Sequence, residues 1–225
     1  MTKTLPEDPI TDVLFRISDS FTCFDNIRER IIFRLVNRKA NHHLLTKIPH
    51  IDYLDLAVTF VCLLSVRDSG DATILINSSH LEKWQLSADD LLATAKQNTP
   101  RLLPWEMSNM TDILQELSTP DDDLIPRPQE LSYPMYILTN RIRLHGAGCI
   151  LYDGLLPSLA KTLGDDLYII PSSIHEVLLI PSSVVTDRRD LDAMIHEVNT
   201  TQVPDEEILS DHAYQYIREM GRVVF

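Results

Sequence analysis

"DDLYIIPSSIHEVLLIPSS", residues 165–183, holds two apolar runs, Leu167–Ile170 and Val177–Ile180, and each run ends in Pro-Ser-Ser. Four-residue apolar runs bounded by Pro and Ser read as buried strands. The stretch therefore predicts a core hairpin. Pro171, Ser172 and Ser173 form its loop, and His175 opens the return strand. The flanks punctuate it with helices. Asp153 stands ahead of Leu155, Leu156, Leu159, Ala160 and Leu163, and Gly164 follows, which is the order of N-cap, apolar stripe and C-terminal glycine. Pro157 falls in the first turn, where a missing N–H costs little. On the other side Asp187, with Asp190 at the third helical position, precedes a stripe of Leu191, Met194, Ile195 and Val198.

Working outward, "MYILTN" and "AGCILY" read as strands around a turn near Arg141–His145, and "AYQYI" and "RVVF" as a terminal hairpin around Met220-Gly221. In the first half, "ERIIFRLVN" (29–37) fits a buried strand, with a helix as the competing reading. "KANHHLL" reads as a helix that stops before Pro49. "LDLAVTFVCLLSV" (54–66), "RDSGD" (67–71) and "ATILIN" (72–77) read as strand, turn and returning strand. Ser79 with Glu82, and Ser87 with Asp90, are capping pairs for two helices, the second ending near Pro100. Ser108 caps a third helix, carrying Met110, Ile113, Leu114 and Leu117. Ile10, Val13, Leu14 and Ile17 keep helical spacing. "STPDDDLIPRPQELSYP" (118–134), with four prolines and an acidic triplet, reads as a linker or long loop. It divides a 20–117 half from a 135–225 half, after a tail or short helix over 1–19. Hairpins followed by helices, instead of strict β-α-β alternation, imply an α+β fold with a mostly antiparallel sheet and helices packed on it.

The 225-residue chain is long enough for one large domain or two small ones. Its net charge of −13, from 33 acidic against 20 basic residues, argues against direct nucleic-acid binding and against docking on anionic lipid, and favours basic partners. Cys23, Cys62 and Cys149 are odd in number and far apart, so they predict free thiols, not disulfides or a zinc knuckle. The N-terminus lacks the apolar core of a secretory signal. The longest apolar run, 54–66, is too short and too interrupted to span a bilayer. A cytoplasmic protein is the expectation.

Three residues are weak catalytic candidates: His175, Glu176 and His145. Adjacent residues on a strand point to opposite faces, so His175 and Glu176 do not pair unless His175 still lies in the bend. In an extended "HGAGC", His145 and Cys149 share a face but sit about 13 Å apart, beyond proton transfer. Packing is the expected role of that thiol. His196-Glu197 belongs to the polar side of its helix, and His42-His43 diverge by about 100° around theirs. Arg28, Arg30, Arg34 and Arg38 would share one face of a strand, where balancing nearby acids is preferred to an anion site. Asp121–Asp123 reads as a solvated loop. The sequence contains no phosphate loop, dinucleotide fingerprint, nucleophile elbow or zinc spacing, so no cofactor and no metal are expected.

The run "MYILTNRIRLHGAGCILYDGLLPSLAKTLGDDLYIIPSSIHEVLLIP", followed by "MIHEVNTTQVPDEEILSDHAYQY", resembles a bacterial family of unknown function common in gut clostridia (Firmicutes). "RIIFRLVNRKANHHLLTKIPHIDYLDLAVTF" and "NTPRLLP" extend the resemblance over roughly residues 20–225. Members of that family carry a longer N-terminal segment, so the chain is similar to their C-terminal two-thirds. The hairpin–helix–hairpin order also looks like a second uncharacterised Firmicutes family, at the level of fold only. Neither resemblance implies a reaction. The expected function is a non-catalytic protein-interaction or regulatory module with a protein partner, and a homodimer through the edge strand Arg222–Phe225 is compatible with it. The alternatives are a hydrolase-like enzyme using His175 near a sheet edge, and an acidic inhibitor of a nucleic-acid-binding protein.

Overall fold

The computed structural model describes residues 21–65, 72–117 and 133–225. The helix expected over 10–17, the turn 67–71, and the linker with its acidic triplet up to residue 132 lie outside the described residues. The fold is α+β and its strand pairings are all antiparallel.

The first sheet contains β1 (Ile31–Asn37), β2 (His50–Tyr53), β3 (Leu56–Ser65) and β4 (Ala72–Leu75). β3 is central, with β1 on one side and β2 and β4 on the other. The 29–37 run forms a strand, not a helix, because two opposed faces are both buried. Ile31, Phe33 and Leu35 enter the main core, while Ile32 packs with Val61, Leu63 and Leu103 on the other face. The short helix α1 (His42–Leu45) links β1 to β2.

Two helices follow β4: α2 (Ser78–Trp84) and α3 (Ala88–Leu102). The cap of α2 is Asn77, paired reciprocally with His80, and not the expected Ser79. Ser87 and Asp90 cap α3 as expected, Asp90 N donating to Ser87 Oγ and Ser87 N to Asp90 Oδ2. The helix ends near Pro100 as expected, running two residues past it to Leu102. Pro100 has no N–H to give the carbonyl of Lys96, and Lys96 is an exposed residue. Thr99 meanwhile anchors the last turn, its Oγ1 accepting from Phe33 N at 3.1 Å, and Asn98 Nδ2 donates to Ile31 O at 3.0 Å. These side chains cover the open edge of β1 where a further strand would otherwise pair.

The second sheet has the order β10-β9-β7-β8-β6-β5, with β5 (Trp105–Asn109), β6 (Tyr136–Asn140), β7 (Leu167–Ser173), β8 (Glu176–Pro181), β9 (Tyr214–Ile217) and β10 (Arg222–Val224). Ser108 is a strand residue, not a cap. Asn109 caps α4 (Met110–Leu117), its Oδ1 accepting from Thr111 N at 2.8 Å. The opening hairpin is real but its bend is shifted. β7 continues through Pro171 to Ser173, Ser173 pairs with Glu176, and Ile174-His175 make the turn. The register slips between Ile170 and Ser173, where Pro171 has no N–H to give the ladder.

"AGCILY" is not a strand: Gly146–Leu151 is a 3-10 helix. A Cβ on Gly148 would press on the Phe33 ring, so glycine lets this helix lie against β1. α5 (Leu155–Leu163) ends at Gly164 as expected, but its N-cap is Gly154 at φ +75°, and Asp153 instead meets Lys96 at 2.9 Å. α6 (Arg188–Thr201) starts at Asp187, whose Oδ1 accepts from Arg189 N. One continuous core joins the two sheets, α3, the 3-10 helix and α5, through residues such as Phe33, Phe60, Leu138, Tyr152 and Leu179. On the opposite face of the second sheet, Leu191 and Ile195 of α6 bury against Ile170 and Ile180. Burial of this kind stabilises by roughly 1.5–3 kcal/mol per large aliphatic side chain. No helix of the described residues is long and apolar enough to cross a membrane.

Candidate functional site

The end of β6 organises the neighbourhood of His145 and His175. Asn140 Oδ1 accepts from Ile142 N and Leu144 N, and its Nδ2 donates to Leu144 O at 2.7 Å. This amide curls 141–145 into a tight loop in which Arg143 and His145 both take the left-handed conformation. The loop delivers His145 to the start of the 3-10 helix. There Thr139 Oγ1 donates to His175 O at 2.7 Å and Ala147 N donates to Ile174 O. The β7–β8 turn is thereby fastened to β6. Gly146 sits between the two, and a Cβ there would overlap both Thr139 Oγ1 and the His175 carbonyl.

The rings of His145 and His175 stack nearly parallel, 6.0 Å between centroids and 10° between planes. Their surroundings differ. His175 is held by its Nδ1, 2.8 Å from Arg143 O. A carbonyl only accepts, so Nδ1 carries the proton and Nε2 is the free nitrogen of the neutral ring. Nε2 faces Glu207 Oε1 at 3.8 Å, and Ile174 N donates to the Glu207 carbonyl. His145 is buried, 8% exposed, and neither ring nitrogen has a hydrogen-bond partner among the described residues. Burial first, then the nearby charges of Arg34 and His175, push its pKa down to about 3, so the ring is neutral.

The structure therefore brings His145 and His175 together and leaves Glu176 out. Glu176 pairs with Ser173 as the first residue of β8, and the carboxylate beside His175 is Glu207. Glu207 had no signal in the sequence, because its place follows from a turn 32 positions after His175 being bonded to the hairpin bend. Cys149 is no thiolate nucleophile. Its Sγ donates to Thr139 O at 3.2 Å and burial pushes the thiol up to about 12. The packing expectation stands, although on a 3-10 helix instead of a strand. His42 and His43 do not diverge as expected, since their rings lie 3.9 Å apart. The arginines do not share one strand face: Arg28–Arg30 form a 3-10 turn, Arg34 lies on β1, and Arg38 pairs with Asp52 at 2.9 Å. Among the described residues no three His, Cys, Asp or Glu side chains are grouped to hold a metal.

A second polar cluster escaped sequence reading altogether. Asp55, in the β2–β3 turn, accepts from Tyr214 OH at 2.5 Å and from Ser210 Oγ at 2.7 Å. Both carboxylate oxygens are engaged, so the cluster reads as a latch between the two sheets. Burial, and then the bond to Asp55, raise the Tyr214 phenol.

Residues 11–218 match a family of unknown function (DUF5688), and the chain belongs to that family. The match starts earlier than the resemblance over 20–225 and includes Val13, Leu14 and Ile17 of the apolar spacing that began at Ile10. No curated protein and no solved structure matches the chain.

Proposed function

We propose that this DUF5688 chain is a non-catalytic protein-interaction module, acting in a bacterial cytoplasm, that receives an extended segment of a positively charged partner along β10. The observation that supports this is the open end of the second sheet. Among the described residues β10 pairs only with β9, and Met220 and Phe225 beside it are each about half exposed, at 51% and 50%. An edge strand offers unpaired backbone groups to an added strand, and exposed large side chains supply anchors. The net charge of −13 repels a second copy and attracts a basic partner. A bait pull-down from the source organism, with hydrogen exchange on the recovered complex, tests it. The expected result is a basic protein that protects 222–224 from exchange and is lost with the Met220→Asp, Phe225→Asp bait. A partner retained equally by both baits refutes the reading.

The pairing of His145 with His175 favours a second reading, a hydrolase-like site in which His175 Nε2 takes a proton. Hydrolysis of an ester or phosphoester panel that is abolished by His175→Gln would support it, and activity unchanged by that substitution would remove it.

A further inference from the structure

A cavity of about 590 Å³ opens between the segment that leads into β1 and the corner where α2 meets α3. The local sequence builds its walls. Gln85 takes the left-handed conformation, ends α2 and turns the chain, and Ser87 then caps α3. Lys83 and Trp84, at the end of α2, form one wall. Asp90 and Ala93, one turn apart on α3, form the second. The third is the segment 22–28, with Phe24, Asp25 and Arg28. Two hydrogen bonds pin that segment near its ends. Trp84 Nε1 donates to Phe21 O at 3.2 Å, and Asn98 Nδ2 donates to Arg28 O at 2.7 Å. The volume lies within the range of small-molecule sites, roughly 300–1,000 Å³, whereas packing gaps in a protein are rarely larger than a water.

The aromatic part of the lining is held in place. Trp84 stacks on His80, 5.2 Å between centroids and 19° between planes, and meets Phe24 at 5.5 Å and 47°. Trp84 and Phe24 both stay partly exposed, which leaves ring surface for a further aromatic group. The charged part is balanced. Arg28 and Lys83 supply two cations, and Asp25 and Asp90 two carboxylates. All four are exposed, and among the described residues none of them makes an ion pair. Asp90 gives one oxygen to its helix cap, Oδ2 accepting from Ser87 Oγ at 2.6 Å and from Ser87 N at 2.9 Å. Those bonds, the hydroxyl's first, hold its carboxyl below the ordinary value, so it is charged at neutral pH. A simple anion would meet two carboxylates here, and a simple cation two bases. A ligand that carries both signs is matched to the whole set.

We propose that this cavity binds a small zwitterion with an aromatic ring, the class of a free aromatic amino acid. Its ring lies against Trp84 and Phe24, its carboxylate between Arg28 and Lys83, and its ammonium toward Asp25 and Asp90. Arg28 suits the carboxylate because its planar fork can bind both oxygens. Ala93 presents only a methyl where a longer side chain would take the ligand's room. The site shares no residue with β10 or with the His145–His175 pair, so it depends on neither.

The full chain is titrated with L-phenylalanine by calorimetry, at neutral pH and constant ionic strength. Three analogues that each lack one feature are run in parallel: phenethylamine (no carboxylate), 3-phenylpropionate (no ammonium) and leucine (no ring). Phenylalanine is expected to bind saturably and to change the fluorescence of Trp84, read in a Trp105→Phe background. Each analogue should bind at least about tenfold more weakly, the weight of one hydrogen bond to a charged group or of one ring contact. Arg28→Gln combined with Lys83→Gln should weaken phenylalanine by a similar factor, at exposed positions that leave the core intact. Ala93→Trp, also exposed, should fill the cavity and remove the heat of binding. The proposal is overturned if neither phenylalanine, tyrosine nor tryptophan binds saturably, if the analogues bind as well as phenylalanine, or if both variants bind as the wild type does. Tighter binding of adenosine monophosphate than of phenylalanine would assign the cavity to a nucleotide and overturn it equally.

Discussion

Replacing Gly146 by alanine tests the hinge on which the His145–His175 neighbourhood rests. The added methyl meets two groups at once, the Thr139 hydroxyl and the His175 carbonyl, which are themselves hydrogen-bonded at 2.7 Å. Neither is the free end of a long side chain. Thr139 is buried on β6, and the carbonyl belongs to a turn tied to Ser173 and Glu207. Overpacking of this kind costs ~1–3 kcal/mol, and the displaced hydroxyl–carbonyl bond adds ~1 kcal/mol. The expected loss is then about 2–4 kcal/mol. With a urea slope of about 2 kcal/mol per molar, the midpoint falls by ~1–2 M. Thr139→Ala relieves one of the two overlaps, so the double variant should lose less than the sum of the two single losses. Urea unfolding of the four proteins measures this. A Gly146→Ala midpoint within error of wild type, or strict additivity with Thr139→Ala, would refute the packing described for this turn.

Two further outcomes follow from the polar clusters. Asp55→Ala leaves the Tyr214 and Ser210 hydroxyls without their acceptor and should cost about 2–4 kcal/mol, while Tyr214→Phe should cost ~1 kcal/mol, both read by chemical denaturation. His145 gives the pH dependence a definite sign. Its pKa is near 3 in the folded chain against an ordinary value of 6.5, so below 6.5 the unfolded chain binds the extra proton. Stability should therefore fall as pH drops from 6.5 toward 3, by up to ~1.4 kcal/mol per pH unit. His145→Gln should flatten that slope in urea melts at pH 7, 5.5 and 4.5, and an unchanged slope would contradict a neutral buried ring.

Local chemistry made much of the fold legible. The capping pair Ser87/Asp90 and the cap Asp187 were readable because a side chain three positions or fewer away satisfies the backbone. Gly164 marked the end of α5 because its left-handed conformation suits glycine. The strands 31–37, 56–65, 136–140 and 167–181 were readable because β-branched and aliphatic runs bury two faces. The errors cluster where a distant partner overrides a local preference. Trp105–Asn109 alternates apolar and polar residues over only four positions, too short a signal to read alone, and forms a strand because β6 offers it an edge. "AGCILY" has the composition of a strand and coils because Gly148 within it fits against Phe33, and Gly146 just before it fits against Thr139 and the His175 carbonyl.

The candidate site divides in the same way. The sequence by itself singled out His145, His175 and Glu176, since a histidine beside glycines and a His-Glu pair at a hairpin bend are noticeable. It also determined the antiparallel α+β class, through apolar runs joined by short turns, and the net charge of −13. Only the tertiary structure decided that the two rings stack, that Glu207 and not Glu176 faces His175, and that His145 is buried with neither ring nitrogen bonded among the described residues. The physical reason is separation along the chain. Hydrogen bonds within a turn or a helix end are written in neighbouring residues. The surroundings of the two rings are assembled from β6, the β7–β8 turn and the segment before β9, which span some seventy residues of the chain.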